Sequence, residues 1–174
     1  MKKKAFFPIL LAVWPYISLI LLYLLAEVSD KLYWLIFAAI VISTVVIYTL
    51  NIINACTHKN ERADEQLAFW DMLVKLIHIP FYLGVFFIGV VFLLAMVVPV
   101  FVMISPLIVV MLAVIDFFLM LTSSAYGINA VARAKQKGSI STGFLVLNII
   151  MHLLFVTDVI SAVIVFVKLK MNKR

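Results

Sequence analysis

The chain has 174 residues, of which 67% are hydrophobic and only 13% are charged. A soluble globular domain is about half apolar and a quarter charged, so this composition excludes an ordinary soluble domain. The net charge of +6 does not indicate nucleic-acid binding, because the basic residues stand at the ends of apolar runs, where anionic lipid headgroups account for them. We expect one integral membrane domain over residues 1–174, with the lipid bilayer as partner and no nucleic acid.

Apolar runs of about 20 residues predict membrane-spanning helices. The first run follows Lys2–Lys4 and covers residues 5–26, which is too long for the apolar region of a signal peptide and predicts an uncleaved span. Pro106 separates two later runs, because proline opens a helix but does not continue one. The fold class expected is all-α, a polytopic transmembrane helical bundle whose five spans cover about residues 5–26, 32–55, 80–104, 106–131 and 140–167.

The segment over residues 61–79 is predicted to form an interfacial amphipathic helix. Asp71 and Lys75 form an acid-then-base pair four residues apart, and His78 continues their face. The other faces are apolar and include Trp70, so this helix would lie in the membrane surface with a narrow polar stripe. It would serve either as an anchored connector or as a docking or gating helix.

A cytoplasmic N-terminus puts most basic residues on the cytoplasmic side, as the positive-inside rule requires. Five full spans nevertheless leave the basic tail, residues 168–174, outside. A re-entrant fifth segment turning near Thr157 and Asp158 would return the tail to the cytoplasm, but residues 144–170 contain no Gly or Pro to make that turn. We therefore predict five full spans, in a membrane taken to be the bacterial cytoplasmic membrane.

Polar side chains inside the predicted spans form the candidate site. A charge near the bilayer centre costs about 2.5–3.5 kcal/mol and is normally turned inward and partnered. Asp116 and His152 fall at similar depth, so we expect them to face each other. Asp158 lies about 120° from His152 around one helix, and so it is a secondary candidate. The intramembrane polar cluster would be completed by Asn148, Ser123, Thr44, Tyr48 and Asn51, unless these only make hydrogen bonds that set helix register.

Catalytic patterns are missing from the sequence: it has no HExxH, GxSxG or P-loop motif. Cys56 is the only cysteine, which excludes an internal disulfide and a thiolate zinc site. We expect no enzymatic activity, no cofactor and no metal. The leading hypothesis is a non-enzymatic accessory or scaffold-like subunit that acts through its helix surfaces and cytoplasmic loop on a membrane-protein partner or a second copy. The alternative is a small transporter or channel with a cytoplasm-facing polar pocket, in which Asp116 and His152 handle a proton or cation.

Overall fold

A computed structural model describes residues 2–25, 30–57 and 63–171, without the side chains of residues 2–4 and 30. All regular structure in these ranges is helical, which confirms the all-α prediction. Four of the helices are long and apolar enough to cross a membrane, and the count of five spans is not confirmed. The six helices are α1 (Lys2–Leu24), α2 (Asp30–Thr57), α3 (Ala63–Ala95), α4 (Ser105–Gln136), α5 (Thr142–Met151) and α6 (Phe155–Met171).

Polar side chains join the four long helices at a few points. Between α1 and α2, the Trp14 indole N–H donates to Thr44 Oγ1 at 2.8 Å. Between α2 and α4, the Tyr126 hydroxyl donates to Asn51 Oδ1 at 2.7 Å and accepts from Asn54 Nδ2 at 3.1 Å. Small numbers of such interhelical hydrogen bonds are how membrane helices set their register.

Helix α3 (Ala63–Ala95) joins most of the segment predicted as an interfacial helix (61–79) to the first part of the predicted third span (80–104) without interruption. Pro80 lies inside it instead of opening a new helix. A proline leaves the carbonyl four residues before it without its backbone N–H donor. Membrane helices tolerate this when other groups donate hydrogen bonds to the freed backbone. Pro80 frees the Leu76 carbonyl, and in the same turn the Tyr16 hydroxyl of α1 donates to the neighbouring Ile77 carbonyl. The separate interfacial helix is therefore wrong.

The third predicted span also ends earlier than expected. Helix α3 stops at Ala95, and residues 96–104 form turns. Pro99 explains the stop, because it has no N–H to donate to the Ala95 carbonyl. The next helix begins at Ser105 with Pro106 in its first turn, as predicted.

The fifth predicted span, residues 140–167, is two helices folded back on each other. The Ser161 hydroxyl of α6 donates to Asn148 Oδ1 of α5 at 2.8 Å. In one continuous helix these two residues would stand about 20 Å apart, at 1.5 Å per residue. The continuous fifth helix is therefore wrong, and the chain reverses at residues 152–154. We call α5, this turn and α6 the hairpin.

The hairpin returns the chain to the end of the bundle from which it started. Lys168 Nζ of α6 lies 3.8 Å from the centroid of the Phe144 ring of α5. At this same end, Arg133 Nη2 of α4 donates to the Cys56 carbonyl of α2 at 2.7 Å. We call it the basic end, because the described residues there include Arg133, Lys135, Lys137, Lys168 and Lys170.

The hairpin predicts a specific disulfide. In a Cys56→Ser background, the double variant Asn148→Cys/Ser161→Cys should oxidise within one chain, because the two side chains are in hydrogen-bond contact. The measurement is loss of both thiols to maleimide labelling with no dimer on a non-reducing gel.

The matched control pairs Asn148→Cys with Val163→Cys. Val163 is exposed and lies two residues, about 200°, around α6 from Ser161. This pair should keep both thiols free. Equal oxidation of the two pairs, or none in either, would contradict the hairpin.

Candidate functional site

Four ionisable side chains meet at the turn of the hairpin, and all four are buried. Lys75 Nζ lies 2.8 Å from Asp71 Oδ1 and also forms an ion pair with Asp158 Oδ1. The His152 ring lies between the carboxylates, with Nε2 3.5 Å from Asp71 Oδ2 and Nδ1 3.2 Å from Asp158 Oδ1. We call Asp71, Lys75, His152 and Asp158 the ion cluster.

Two helices and a helix break position these groups. Asp71 and Lys75 pair at the predicted spacing of four residues on α3, but inside the bundle and not on a surface stripe. His152 ends α5, and Asp158 lies in the first turn of α6. These positions are favourable, because a helix C-terminus attracts positive charge and an N-terminus attracts negative charge.

Helix α4 closes the ion cluster with two small residues. Ser124 Oγ lies 3.0 Å from both the His152 carbonyl and Asp158 Oδ1, and its single proton serves one of them at a time. At Gly127 a Cβ atom would overlap His152 Nε2 and the Asp71 carboxylate. Sequence reasoning missed both residues. The signal that could have found them is the stripe of small buried residues on this face of α4, formed by Ser124, Gly127, Ala130 and Ala134.

Asp116 is not part of the ion cluster. Asp116 is only 6% exposed as a residue, and in the described ranges no hydrogen bond or ion pair joins it to His152 or Asn148. Ser124 is the α4 residue level with His152, and it lies eight residues, about 12 Å, from Asp116. The expected pairing of Asp116 with His152 assumed a fully crossing helix, whereas the hairpin turns back before reaching that depth.

The remaining predicted cluster members are spread over several contacts. Thr44 and Asn51 serve the α1–α2 and α2–α4 contacts described above, and Asn148 ties α5 to α6. The buried Ser123 hydroxyl donates to the Met120 carbonyl of its own helix at 2.9 Å. Tyr48 lines a separate groove between α2 and α4. The seven residues therefore do not form one polar pocket.

The other residues of the predicted interfacial helix also face inward. His78 is buried, and its Nε2 lies 3.1 Å from the Leu11 carbonyl of α1, so Nε2 carries a proton in this contact. Trp70 is half-buried and packs against the core. The polar stripe predicted for the membrane surface is thus divided between the ion cluster and the α1–α3 contact.

His152 has a hydrogen-bond partner in the ion cluster whether or not its Nδ1 carries a proton. Two carboxylates and one ammonium leave a net charge of −1 with a neutral His152, and one added proton makes the cluster neutral. His152 Nδ1 lies 3.3 Å from Lys75 Nζ and 3.2 Å from Asp158 Oδ1. A bare Nδ1 accepts from Lys75, and a protonated Nδ1 donates to Asp158, so either state has a partner.

No metal site is evident in the part of the chain described: no group of three or more His, Cys, Asp or Glu side chains there is arranged to hold a metal ion. In the ion cluster, the Lys75 ammonium occupies the position between the two carboxylates. The cation of this site is therefore the chain's own lysine.

The comparisons with known proteins identify a family. Residues 4–171 match the model of a family of unknown function, DUF6652, and because this match covers nearly the whole chain, the protein belongs to that family. No curated protein and no solved structure matches the chain.

Gly127 gives a stability prediction. Gly127→Ala should lower the free energy of unfolding by about 1–3 kcal/mol, because the added methyl group overpacks the ion cluster. The measurement is thermal unfolding of the purified protein in detergent, followed by tryptophan fluorescence.

Gly84→Ala is the matched control on α3. A Cβ at Gly84 meets nothing within 4 Å, so this variant should be as stable as the parent or slightly more stable, since alanine favours helix. If the two variants unfold at the same temperature, the tight approach of α4 to the ion cluster is refuted.

Proposed function

We propose that the protein is a small multi-pass membrane transporter in which the ion cluster binds and releases a proton. The observation that carries this proposal is the burial of Asp71, Lys75, His152 and Asp158 at a helix break, between helices long enough to cross a membrane. Ionisable residues inside membrane segments mark ion pathways and proton relays. Broken helices supply the half-helix ends that such sites use in many transporters.

The topology we infer has four crossing helices and a hairpin that enters and leaves from the cytoplasmic side. Its backbone turn is acceptable at membrane depth because side chains of the protein donate hydrogen bonds to the Met151 and His152 carbonyls. Charge supports this arrangement. Among the Lys and Arg side chains that the structure describes, Lys75 is in the ion cluster and Lys31 alone stands at the end opposite the basic end. The basic tail, external in the five-span topology, then joins the other basic residues.

Reporter fusions test this topology. A reporter at the C-terminus and one inserted after Gln136 should both behave as cytoplasmic, because the hairpin brings α6 back beside the start of α5. A third reporter inserted after Val98, in the turn between α3 and α4, should behave as external. An external C-terminal reporter would refute the re-entrant hairpin and restore five spans.

Proton movement tests the transporter proposal. Proteoliposomes with an internal pH-sensitive dye should take up protons when an inside-negative potential is imposed. His152→Gln and Asp158→Asn should reduce the uptake to the level of empty liposomes, because each removes an ionisable side chain that contacts Lys75.

Asp64→Asn is the control for charge removal. Asp64 pairs with Lys137 at 2.7 Å at the basic end, away from the ion cluster, so this variant should keep the parent's uptake. The disulfide between positions 148 and 161 can be formed in each variant to verify that the hairpin is intact. A parent protein that moves no protons above the empty-liposome background would overturn the proposal.

An accessory or scaffold-like role is the second candidate, and the exposed face of α2 favours it. Trp34, Leu35, Ile42 and Val45 follow one another along one side of this helix at helical spacing, and all are well exposed. Such a stripe suits lipid, a partner helix or a second copy of the chain. If the parent protein moves no protons but crosslinks through α2 to one defined partner in native membranes, this role replaces the transporter.

A further inference from the structure

An apolar groove of about 690 Å³ lies beside the hairpin turn. Its walls are formed by α3, by α4 and by the start of α6. The parts of α3 and α4 involved lie mostly past the turn of the hairpin. The lining residues include Gly89 of α3, Leu112 of α4 and Phe155 of α6. Its size is within the range of about 300–1,000 Å³ that is common for small-molecule sites.

Asp116 is the single charged residue among the described residues that line this groove. Its Oδ1 is buried and has no hydrogen-bond partner. Tyr82 lines the groove as well, and its buried hydroxyl lies beside Ser123 without making a hydrogen bond of normal geometry. The groove thus contains a buried carboxylate oxygen that the chain itself leaves unpaired.

An unpaired buried carboxylate is costly, and a cation placed next to it offsets that cost. In the ion cluster Lys75 fills this role for Asp71 and Asp158. In the groove no lysine, arginine or histidine stands among the described lining residues. A positive charge that complements Asp116 would therefore have to come from outside the groove's own lining.

We propose that this groove binds a lipophilic organic cation, with the apolar body between α3, α4 and α6 and the charge at Asp116. The inference names the substrate class of the proposed transporter and rests on that proposal for its biological role. A lipid acyl chain or an apolar partner helix would fill the same space but would leave Asp116 unpaired. Charge complementarity favours the cation.

Two ions of the same shape and opposite charge test the site. Tetraphenylphosphonium should bind the protein in nanodiscs of zwitterionic lipid above the background of empty nanodiscs, and tetraphenylborate should not. Asp116→Asn keeps the size of the side chain but removes the charge, so it should weaken tetraphenylphosphonium binding by about tenfold or more. Asp116→Leu should bind no better and should fold as well as the parent, because Oδ1 has no partner to lose.

A pair of glycines in α3 separates occupation of the groove from general disturbance. A Cβ at Gly89 or at Gly84 meets nothing within 4 Å, but only Gly89 lines the groove. Gly89→Leu should therefore weaken binding, and Gly84→Leu should leave it unchanged.

Each contrary result has a distinct meaning. Equal binding of both ions, undiminished binding to Asp116→Asn, or no binding of tetraphenylphosphonium would overturn the inference in favour of a groove filled by lipid or a partner helix. Equilibrium binding does not depend on proton flux. If tetraphenylphosphonium does not bind but proton uptake is intact, the cation site alone is rejected. If tetraphenylphosphonium binds but no protons are taken up, the proton role of the ion cluster alone is rejected.

Discussion

The position of the hairpin depends on one buried ammonium group. Lys75 reaches from α3 to Asp158 at the start of α6 while it pairs with Asp71 on its own helix. Removing one partner of a buried ion pair costs about 3–5 kcal/mol, because the remaining charge is left without water or a counter-charge. Because Gly127 has no side chain, α4 leaves room for His152 and the Asp71 carboxylate beside it. The fold and the candidate chemistry therefore rest on the same atoms.

The backbone groups of the hairpin turn find hydrogen-bond partners although the turn contains no glycine or proline. The Met151 carbonyl accepts the Thr157 hydroxyl at 3.0 Å, and the His152 carbonyl faces Ser124 Oγ. The Asp158 N–H donates to the Leu154 carbonyl at 2.9 Å, which starts α6. In an apolar layer every such group must find a partner within the protein. Side chains of α4 and α6 supply those partners, so the break is made by tertiary contacts and not by a local turn sequence.

This is why the sequence predicts the four long helices but not the hairpin. Apolar length is a local signal that predicted α1, α2 and α4, and Pro106 correctly marked the start of α4, but apolar length alone misplaced the bounds of α3 and joined α5 to α6. The absence of Gly and Pro argued against a turn, and the 120° separation of His152 and Asp158 was valid only for an unbroken helix. One contrary signal was present: a basic tail that a fifth crossing would place outside. Asp71 and Lys75 were recognised as a pair, but pairing alone does not distinguish a wet surface from a dry interior.

One break in the chain creates both sites. Because the hairpin reverses at residues 152–154, its polar turn meets α3 and α4 partway along their length and buries the ion cluster there. The same reversal means that the opposite halves of α3 and α4 have no fifth helix beside them, which opens the groove at Asp116. A fully crossing fifth helix would have filled that space. The reversal of the hairpin therefore places the two acidic sites about 12 Å apart in depth. Phe155 lines the groove, Asp158 belongs to the ion cluster, and both lie in the first turn of α6. Any movement of the hairpin therefore changes the groove and the ion cluster together.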